Sequence, residues 1–513
     1  MAAFLLSNVV GLARQILISR AFGTSGDLDA FYVAQRLPDI LFNLAAGGAL
    51  ASAFVPAFTA FLMRGDWEGA WRLASGVMNL VLAALCVAGL LAAFFAPTLV
   101  RYVLGPGFIQ REQQVLTVAL LRLLLIASVI FGVSGLLMGI LNAHQHFIFP
   151  ALAPTFYWLG MILGLLVWVP RMGIYGLAWG AVLGAALHLA IQLPGLRGLG
   201  ARYSPDLGWR SPAVREVIWL MGPRLVGVAA VQINFLVSAA LASFMLAGSV
   251  SALNYAWQVF TMPQVIIAQS ISIAALPTFS AMVAREEINA MRASLADALR
   301  GILFLALPAT VGLLLLRAPV IALLFQRQSF DAASTALVAW ALAWFTLGLA
   351  SHSVVEIVSR AYYALRDTRT PVAIGAAAMG LNVILSFVFA WLFARLGWPP
   401  HGGLALANTA ATTLEMIGLL WRLRHRLGGL AFTRLWPGLW RTALASFYMG
   451  AILLLWLRYT QALSVWIVAI GGVLVGGLTF WLVAHSLRAP ETRLLAGLVR
   501  ERLGRFAKGQ PFT

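Results

Sequence analysis

Long apolar blocks, each near or beyond twenty residues, alternate along this chain with short clusters rich in Arg, Gly, Pro and Asp; residues 80–97 and 115–142 form two such blocks. About 20 residues of helix cross the hydrocarbon core of a bilayer. The pattern therefore predicts fourteen helices, over residues 2–22, 28–62, 68–99, 112–142, 148–169, 173–194, 213–247, 251–284, 290–316, 331–364, 371–394, 403–424, 437–457 and 463–487. Several of these runs exceed the thickness of a bilayer, which predicts tilted, bent or extended helices. Pro38 and Pro56 in the second helix, and Pro263 and Pro277 in the eighth, mark where kinks belong.

Composition strengthens this reading. Of 513 residues, 61% are hydrophobic and 10% charged, with a mean hydropathy of +0.90. A soluble domain carries about 25% charged residues, so a water-exposed globule of this size is excluded and an all-α polytopic membrane protein is implied. The basic excess, 35 Lys and Arg against 17 Asp and Glu, would suggest nucleic acid if it were clustered. Instead it falls in short loops between apolar blocks. With the amino terminus in the cytoplasm, 23 basic residues lie on the cytoplasmic side, 7 on the opposite side and 5 (Arg14, Arg20, Arg36, Arg122, Arg224) within helices. That asymmetry is the positive-inside pattern, so both termini are expected in the cytoplasm and no nucleic acid is expected as partner.

The chain also repeats itself. Ala53-Phe-Val-Pro56-Ala-Phe58-Thr-Ala60 recurs as Ala274-Ala-Leu-Pro277-Thr-Phe279-Ser-Ala281, and Ala143 with Pro150 recurs as Ala364 with Pro371, both at an offset of 221. Each copy holds six helices, which makes a parallel repeat of the kind found in transporters. The expected organisation is a first lobe over 1–195, a second over 212–426, an additional helix pair over 436–487 and a basic tail over 488–513. The tail, punctuated by Leu494, Leu495, Leu498, Leu503 and Phe506, reads as an amphipathic segment lying on anionic lipid headgroups. The same offset places the start of the first helix before Met1, which predicts a short first helix or a lost start.

Enzyme chemistry finds no support in the residues. The seven histidines are scattered, Cys86 is alone in an apolar run, and neither a metalloprotease pairing nor a phosphate-cradling glycine loop is present. No metal or cofactor is expected. Polar residues inside the helices carry more information, because they are costly there and face a cavity or a partner. Arg36, Asp39 and Asn43 share one face of the second helix; Asn254, Gln258 and Thr261 share one face of the eighth. Matched polar stripes on equivalent helices point, given the repeat, to a polar cavity between lobes, with hydrogen bonding within a tight bundle as the alternative. Arg14 would contact an anionic substrate or pair with Asp29 or Asp39. Glu356 and Arg360, four apart, are expected to pair, while Glu415 reads either as a proton or cation site or as a carboxylate satisfied by a neighbouring helix. Gly105-Pro-Gly-Phe108 and Phe325-Gln-Arg-Gln-Ser-Phe330 read as corresponding external turns.

These residues carry a family resemblance. Gly11-Leu-Ala-Arg14, Ala21-Phe-Gly23, Asp29-Ala-Phe31, Leu37-Pro38, Ala53-Phe-Val-Pro56, Met221-Gly-Pro223 and above all Tyr362-Tyr-Ala-Leu-Arg-Asp-Thr-Arg-Thr-Pro371 resemble the signature of the MurJ/MviN lipid II flippases of the bacterial cytoplasmic membrane. The resemblance implies two lobes around a cationic cavity and an extra helix pair forming a groove for a lipid tail. It implies outward transport of undecaprenyl-pyrophosphate-linked glycopeptide by alternating access, with a coupling cation or the membrane potential as driving force. Membrane lipids and cell-wall synthesis enzymes would be the partners. The substrate-binding residues it points to are Arg14, Arg36, Asn8, Asp29, Asn254 and Gln258. The sequence departs from the family at Asn8, Phe42 and Gln258, where family members carry cavity arginines, and at Gly47, where they carry an acidic residue. A flippase for another polyprenyl-linked oligosaccharide, a cation-coupled exporter of small molecules and a non-transporting scaffold for wall synthesis are the alternatives.

Overall fold

The computed structural model describes residues 2–45 and 48–492, and no strand occurs among them. Helices run as α1 (Ala2–Phe22), α2 (Gly26–Ala45), α3 (Gly48–Met63), α4 (Trp67–Phe94), α5 (Arg111–Ala143), α6 (Ile148–Met172), α7 (Ile174–Ala190), α8 (Pro212–Ala242), α9 (Ser249–Ala284), α10 (Ile288–Phe325), α11 (Ala332–Thr346), α12 (Leu349–Ala364), α13 (Arg369–Arg395), α14 (His401–Leu427), α15 (Phe432–Tyr459) and α16 (Ile467–Ser486). Among the described residues ten helices are long and apolar enough to cross a membrane, or eleven when the bent pair α11–α12 is taken as one span. The chain is a multi-pass membrane protein. Gly47 and the expected amphipathic tail from 493 onward lie outside the described residues.

Two compact units emerge, Met1–Ser251 with Phe325–Ser334, and Ala252–Leu324 with Thr335–Thr513. In the first, α8 packs on α2 and α3, and α6 packs on α1 and α7. Helices α6 and α7 approach through glycine: a Cβ on Gly160 would stand 2.3 Å from the Cα of Gly184, and one on Gly164 would stand 2.4 Å from that of Gly180. Small residues four apart let transmembrane backbones touch, where van der Waals contact replaces the hydrophobic effect as the attraction. Phe54, Phe58, Trp71 and Ile140 fill the core between α3, α4 and α5.

Both expected external turns seal helix ends in this unit. The Gly107 N–H donates to Ser243 Oγ (2.9 Å) just past α8, and a Cβ there would lie 2.2 Å from the Phe244 nitrogen. Gln328 accepts from Arg20 Nε at the end of α1 (2.8 Å), and Thr24 donates to Ser334 (2.9 Å).

The second unit has its own core, in which Phe279, Met291, Leu295, Ile357, Tyr362 and Leu423 meet. Pro263 is followed at once by a π-helical stretch, Val265–Gln269, where the displaced hydrogen bonds widen the helix. The helix expected over 331–364 is instead two, bent by 46°. The cause is a neighbouring hydroxyl: Thr409 of α14 donates to the Trp344 carbonyl (2.7 Å) at the end of α11. A Cβ on Gly348 would stand 2.8 Å from that Thr409 Oγ1, so the close approach of the bend to α14 leaves room for glycine and no larger residue.

The motif at 362–371 has a structural meaning. Tyr362, fully buried, donates to the Leu419 carbonyl of α14 (2.9 Å). Arg366 takes a left-handed turn (φ 58°), and Asp367 accepts from the Thr370 N–H (3.0 Å) and hydroxyl (2.8 Å) and pairs with Arg426. One turn thus caps α13 and ties it to the end of α14. Burial works against the charged form of Asp367, but these donors outweigh it and hold the carboxyl below its usual range.

Candidate functional site

The first unit gathers Arg14 and Gln15 of α1 and Tyr32 of α2 beside Trp158 of α6. Gly11, one turn before Arg14, leaves room for the Trp158 indole, whose nitrogen would lie 3.4 Å from a Cβ at that position. Trp158 therefore reaches Arg14, and its ring centroid lies 4.2 Å from the guanidinium carbon. Arg14 Nη2 also donates to Gln15 Oε1 (2.7 Å), and Gln15 passes a hydrogen bond to the Tyr32 hydroxyl (3.0 Å). Cation–π contact and a neutral amide fix the guanidinium without cancelling its charge. The Gly11-x-x-Arg14 spacing is thus a device for setting an arginine on an indole.

Arg36, Asp39 and Asn43 line one small pocket of about 140 Å³ with Gln232 and Phe235 of α8, as their shared face predicts. Arg36 stands 5.7 Å from the Phe235 centroid. Pro38 lacks an N–H, and around it side chains serve the backbone: Ser128 donates to the Pro38 carbonyl (3.3 Å), while Asn43 (2.8 Å) and Gln232 (3.3 Å) donate to that of Asp39. A second cavity of about 440 Å³ opens between α2, α5, α6 and α7. Asp39, Phe42, Asn43, Ser128, Tyr157 and His188 are among its walls. Phe42 packs on Phe131 (5.0 Å between centroids), so this position forms an aromatic wall.

Asp29 sits elsewhere. It is 2% exposed, and its oxygens accept from the N–H of Gly248 (2.6 Å), the N–H of Ser251 (2.7 Å) and the Ser251 hydroxyl. Its partners are a turn of the chain, and Arg14 is not among them. Asn8 lies on the exposed side of α1. Asn254 and Gln258 belong to the second unit, half-buried on α9, where Thr261 donates to the Gln258 carbonyl (3.0 Å). Glu356 and Arg360 pair as expected (2.6 Å). Glu415 lies against Gly375 of α13, where a Cβ would stand 3.2 Å from its carboxylate.

The second unit also contains an apolar groove of about 410 Å³ between α10, α15 and α16. Leu305, Gly312, Met449, Gly472, Gly476 and Phe480 are among its walls, and every lining side chain is apolar. Glycines at 472, 476 and 477 keep one wall low. Sequence reading missed Trp158, Gln15, Tyr32 and Gln232, whose roles depend on which helices meet. Only the Gly11–Arg14 spacing hinted at a bulky neighbour. Among the described residues no group of three His, Cys, Asp or Glu could hold a metal.

The sequence profile of a family described as "Lipid II flippase MurJ" matches residues 18–474. Lipid II flippase MurJ of Burkholderia cenocepacia is 31% identical over 432 residues, covering 82% of each chain. A probable lipid II flippase MurJ of Vibrio cholerae is 30% identical over 478 residues, covering 90% of this chain and 88% of its own. Among solved structures, a lipid II flippase MurJ in an inward closed conformation superposes with a TM-score of 0.80 at 25% identity, covering 94% of this chain and 97% of that one. An inward-facing multidrug transporter of the MATE family shares the fold, with a TM-score of 0.69 at 17% identity over 83% of this chain and 96% of its own.

Proposed function

Because this chain belongs to the lipid II flippase MurJ family, we propose that it moves lipid II from the inner to the outer leaflet of the bacterial cytoplasmic membrane, with both termini in the cytoplasm. The observation that carries the reading is Arg14, a guanidinium held inside a helical bundle by Trp158 and Gln15. A fixed arginine in such a place is matched to a phosphate, whose oxygens its planar fork meets in pairs. Arg36 is the second cation offered to the pyrophosphate, and Asn8 supplies a polar contact to the rest of the headgroup. Asp29 contributes by holding α2 in place.

Moving a pyrophosphate through bare hydrocarbon is prohibitive, and a polar path within protein removes most of that cost. The prenyl tail has no such need. The groove between α10, α15 and α16 is apolar throughout and suits such a chain. Alternating access, driven by the membrane potential or a coupling cation, completes the cycle, and cell-wall synthesis enzymes that consume the product are the natural partners.

The test is depletion of the resident lipid II flippase in a bacterium carrying this gene, scored by growth and by outward exposure of lipid II. Wild type should rescue, and Arg14→Ala should reach the membrane without rescuing. Wild-type flux in Arg14→Ala would refute the role of that residue. Failure of wild type, with the protein present in the membrane, would shift the cargo to another polyprenyl-linked oligosaccharide, in keeping with Asn8, Phe42 and Gln258 where arginines are expected.

A further inference from the structure

Asp39 has a position that the cargo reading does not use. It lies midway along α2 with Asn43, and these two residues line both the 140 Å³ pocket shared with Arg36 and the 440 Å³ cavity lined by Tyr157 and His188. One carboxylate therefore borders both chambers. Its side chain accepts one hydrogen bond among the described residues, from Gln35 Nε2 at 3.5 Å, the outer limit of such a contact. A carboxylate within a membrane protein is costly to keep charged, and such residues mark proton or ion sites when they line cavities.

We propose that Asp39 is a proton-binding site linked to the anionic cargo: it carries a negative charge while Arg36 has no phosphate, and it takes up one proton when a phosphate arrives. The argument is one of charge. In the empty protein Arg36 and Asp39, three residues apart on one face, offset each other's burial. A pyrophosphate that engages Arg36 brings further negative charge into the same small pocket, and like charges sharing a site are relieved by protonation of the weaker acid. The larger cavity has room for water, which would carry protons to the carboxylate. The charged and titratable groups around it are few: Arg36 on its own helix, Arg14 from α1, Tyr157 from α6 and His188 from α7, whose Nδ1 is engaged by Ser134 (2.6 Å). The segments of α5 and α8 that line the two cavities bring no titratable side chain.

This inference rests on the anionic cargo proposed above. Lipid II is added to the purified full chain in weakly buffered detergent containing a pH-indicator dye, and proton uptake is read against binding. Wild type should take up about one proton per lipid II bound, Asp39→Asn should bind with no uptake, and Asp39→Glu should restore it. In His188→Asn the uptake should persist. Equal uptake in wild type and Asp39→Asn, or binding without uptake in wild type, would overturn the proposal. Inorganic pyrophosphate, run in parallel with infrared detection of the protonated carboxyl, separates the two readings. Uptake with pyrophosphate and no binding of lipid II would keep the proton site and discard the cargo; binding of neither would overturn both. A variant that loses its monodisperse elution is replaced by Asp39→Ser.

Discussion

Replacing Asp29 by Ala should cripple the first unit's fold before it touches any substrate. The carboxylate is 2% exposed, and the Gly248 N–H, the Ser251 N–H and the Ser251 hydroxyl are among its donors. Hydrogen bonds to a charged group contribute about 1.5–3 kcal/mol each. Three would sum to more than a single substitution loses, because the freed turn can shift and find water. The expected loss is about 3–5 kcal/mol, because buried donors left without an acceptor cost about 1–3 kcal/mol each. At about 2–4 °C per kcal/mol for a unit of this size, thermal unfolding in detergent, followed by tryptophan fluorescence, should move down by about 10 °C. Asp29→Asn keeps one acceptor and should lose about half as much.

Gly248 offers an independent check on the same contact. Its φ is +90°, and a Cβ there would lie 2.4 Å from the Thr24 carbonyl oxygen, so Gly248→Ala should destabilise by a similar amount although it removes no charge. The reasoning fails if Asp29→Ala unfolds at the wild-type temperature while its binding of lipid II is weakened. That result would return Asp29 to the substrate.

Three further outcomes follow from the contacts described above. Asp367 is held below its usual range in the folded protein, so it titrates lower folded than unfolded. Its contribution is complete above the unfolded value of about 3.9 and is lost as pH falls through the folded value. The unfolding temperature should therefore drop on acidification below about pH 4, and Asp367→Asn should flatten that drop. Gly160→Val would force α6 from α7, where a Cβ already meets the Gly184 Cα at 2.3 Å; a loss of about 3 kcal/mol and of flux is expected. Gly89→Ala, in open space, should be neutral or stabilising in the same thermal assay.

The helices were legible because membrane helices are written in hydropathy, and most of the described residues in the expected segments are helical. What hydropathy cannot carry is where a helix breaks. The bend between α11 and α12 needs Thr409, more than sixty residues away, to take the Trp344 carbonyl. No local signal announces it except Gly348, one glycine among 47. The Tyr362–Pro371 motif was legible as a signature, but its meaning as a helix cap and cross-helix tie appears only when α14 delivers Leu419 and Arg426. The polar stripe of α2 was read correctly as one face because i, i+3, i+7 spacing is geometry internal to a helix. The partners of that face, Gln232, Phe235 and Trp158, come from helices whose neighbours the sequence does not name.

The charge of the first unit's site explains why so few arginines can suffice. The indole, amide and thioether that Arg14 meets are neutral and do not cancel its charge. Arg36 shares its pocket with Asp39, so the two contribute little net charge until the carboxylate is neutralised. Phe42, where the family resemblance expects a cation, instead walls the larger cavity against Phe131. A third buried guanidinium would add to the cost of the empty site, since each charge inside a membrane is expensive without a partner. A carboxylate that can be protonated achieves the same end on demand. It stabilises Arg36 while the pocket is empty and withdraws its charge when phosphate arrives. In a medium where Coulomb terms are several times stronger than in water, converting one neutral pair into one cation strengthens the attraction for pyrophosphate, less the cost of protonating the carboxylate.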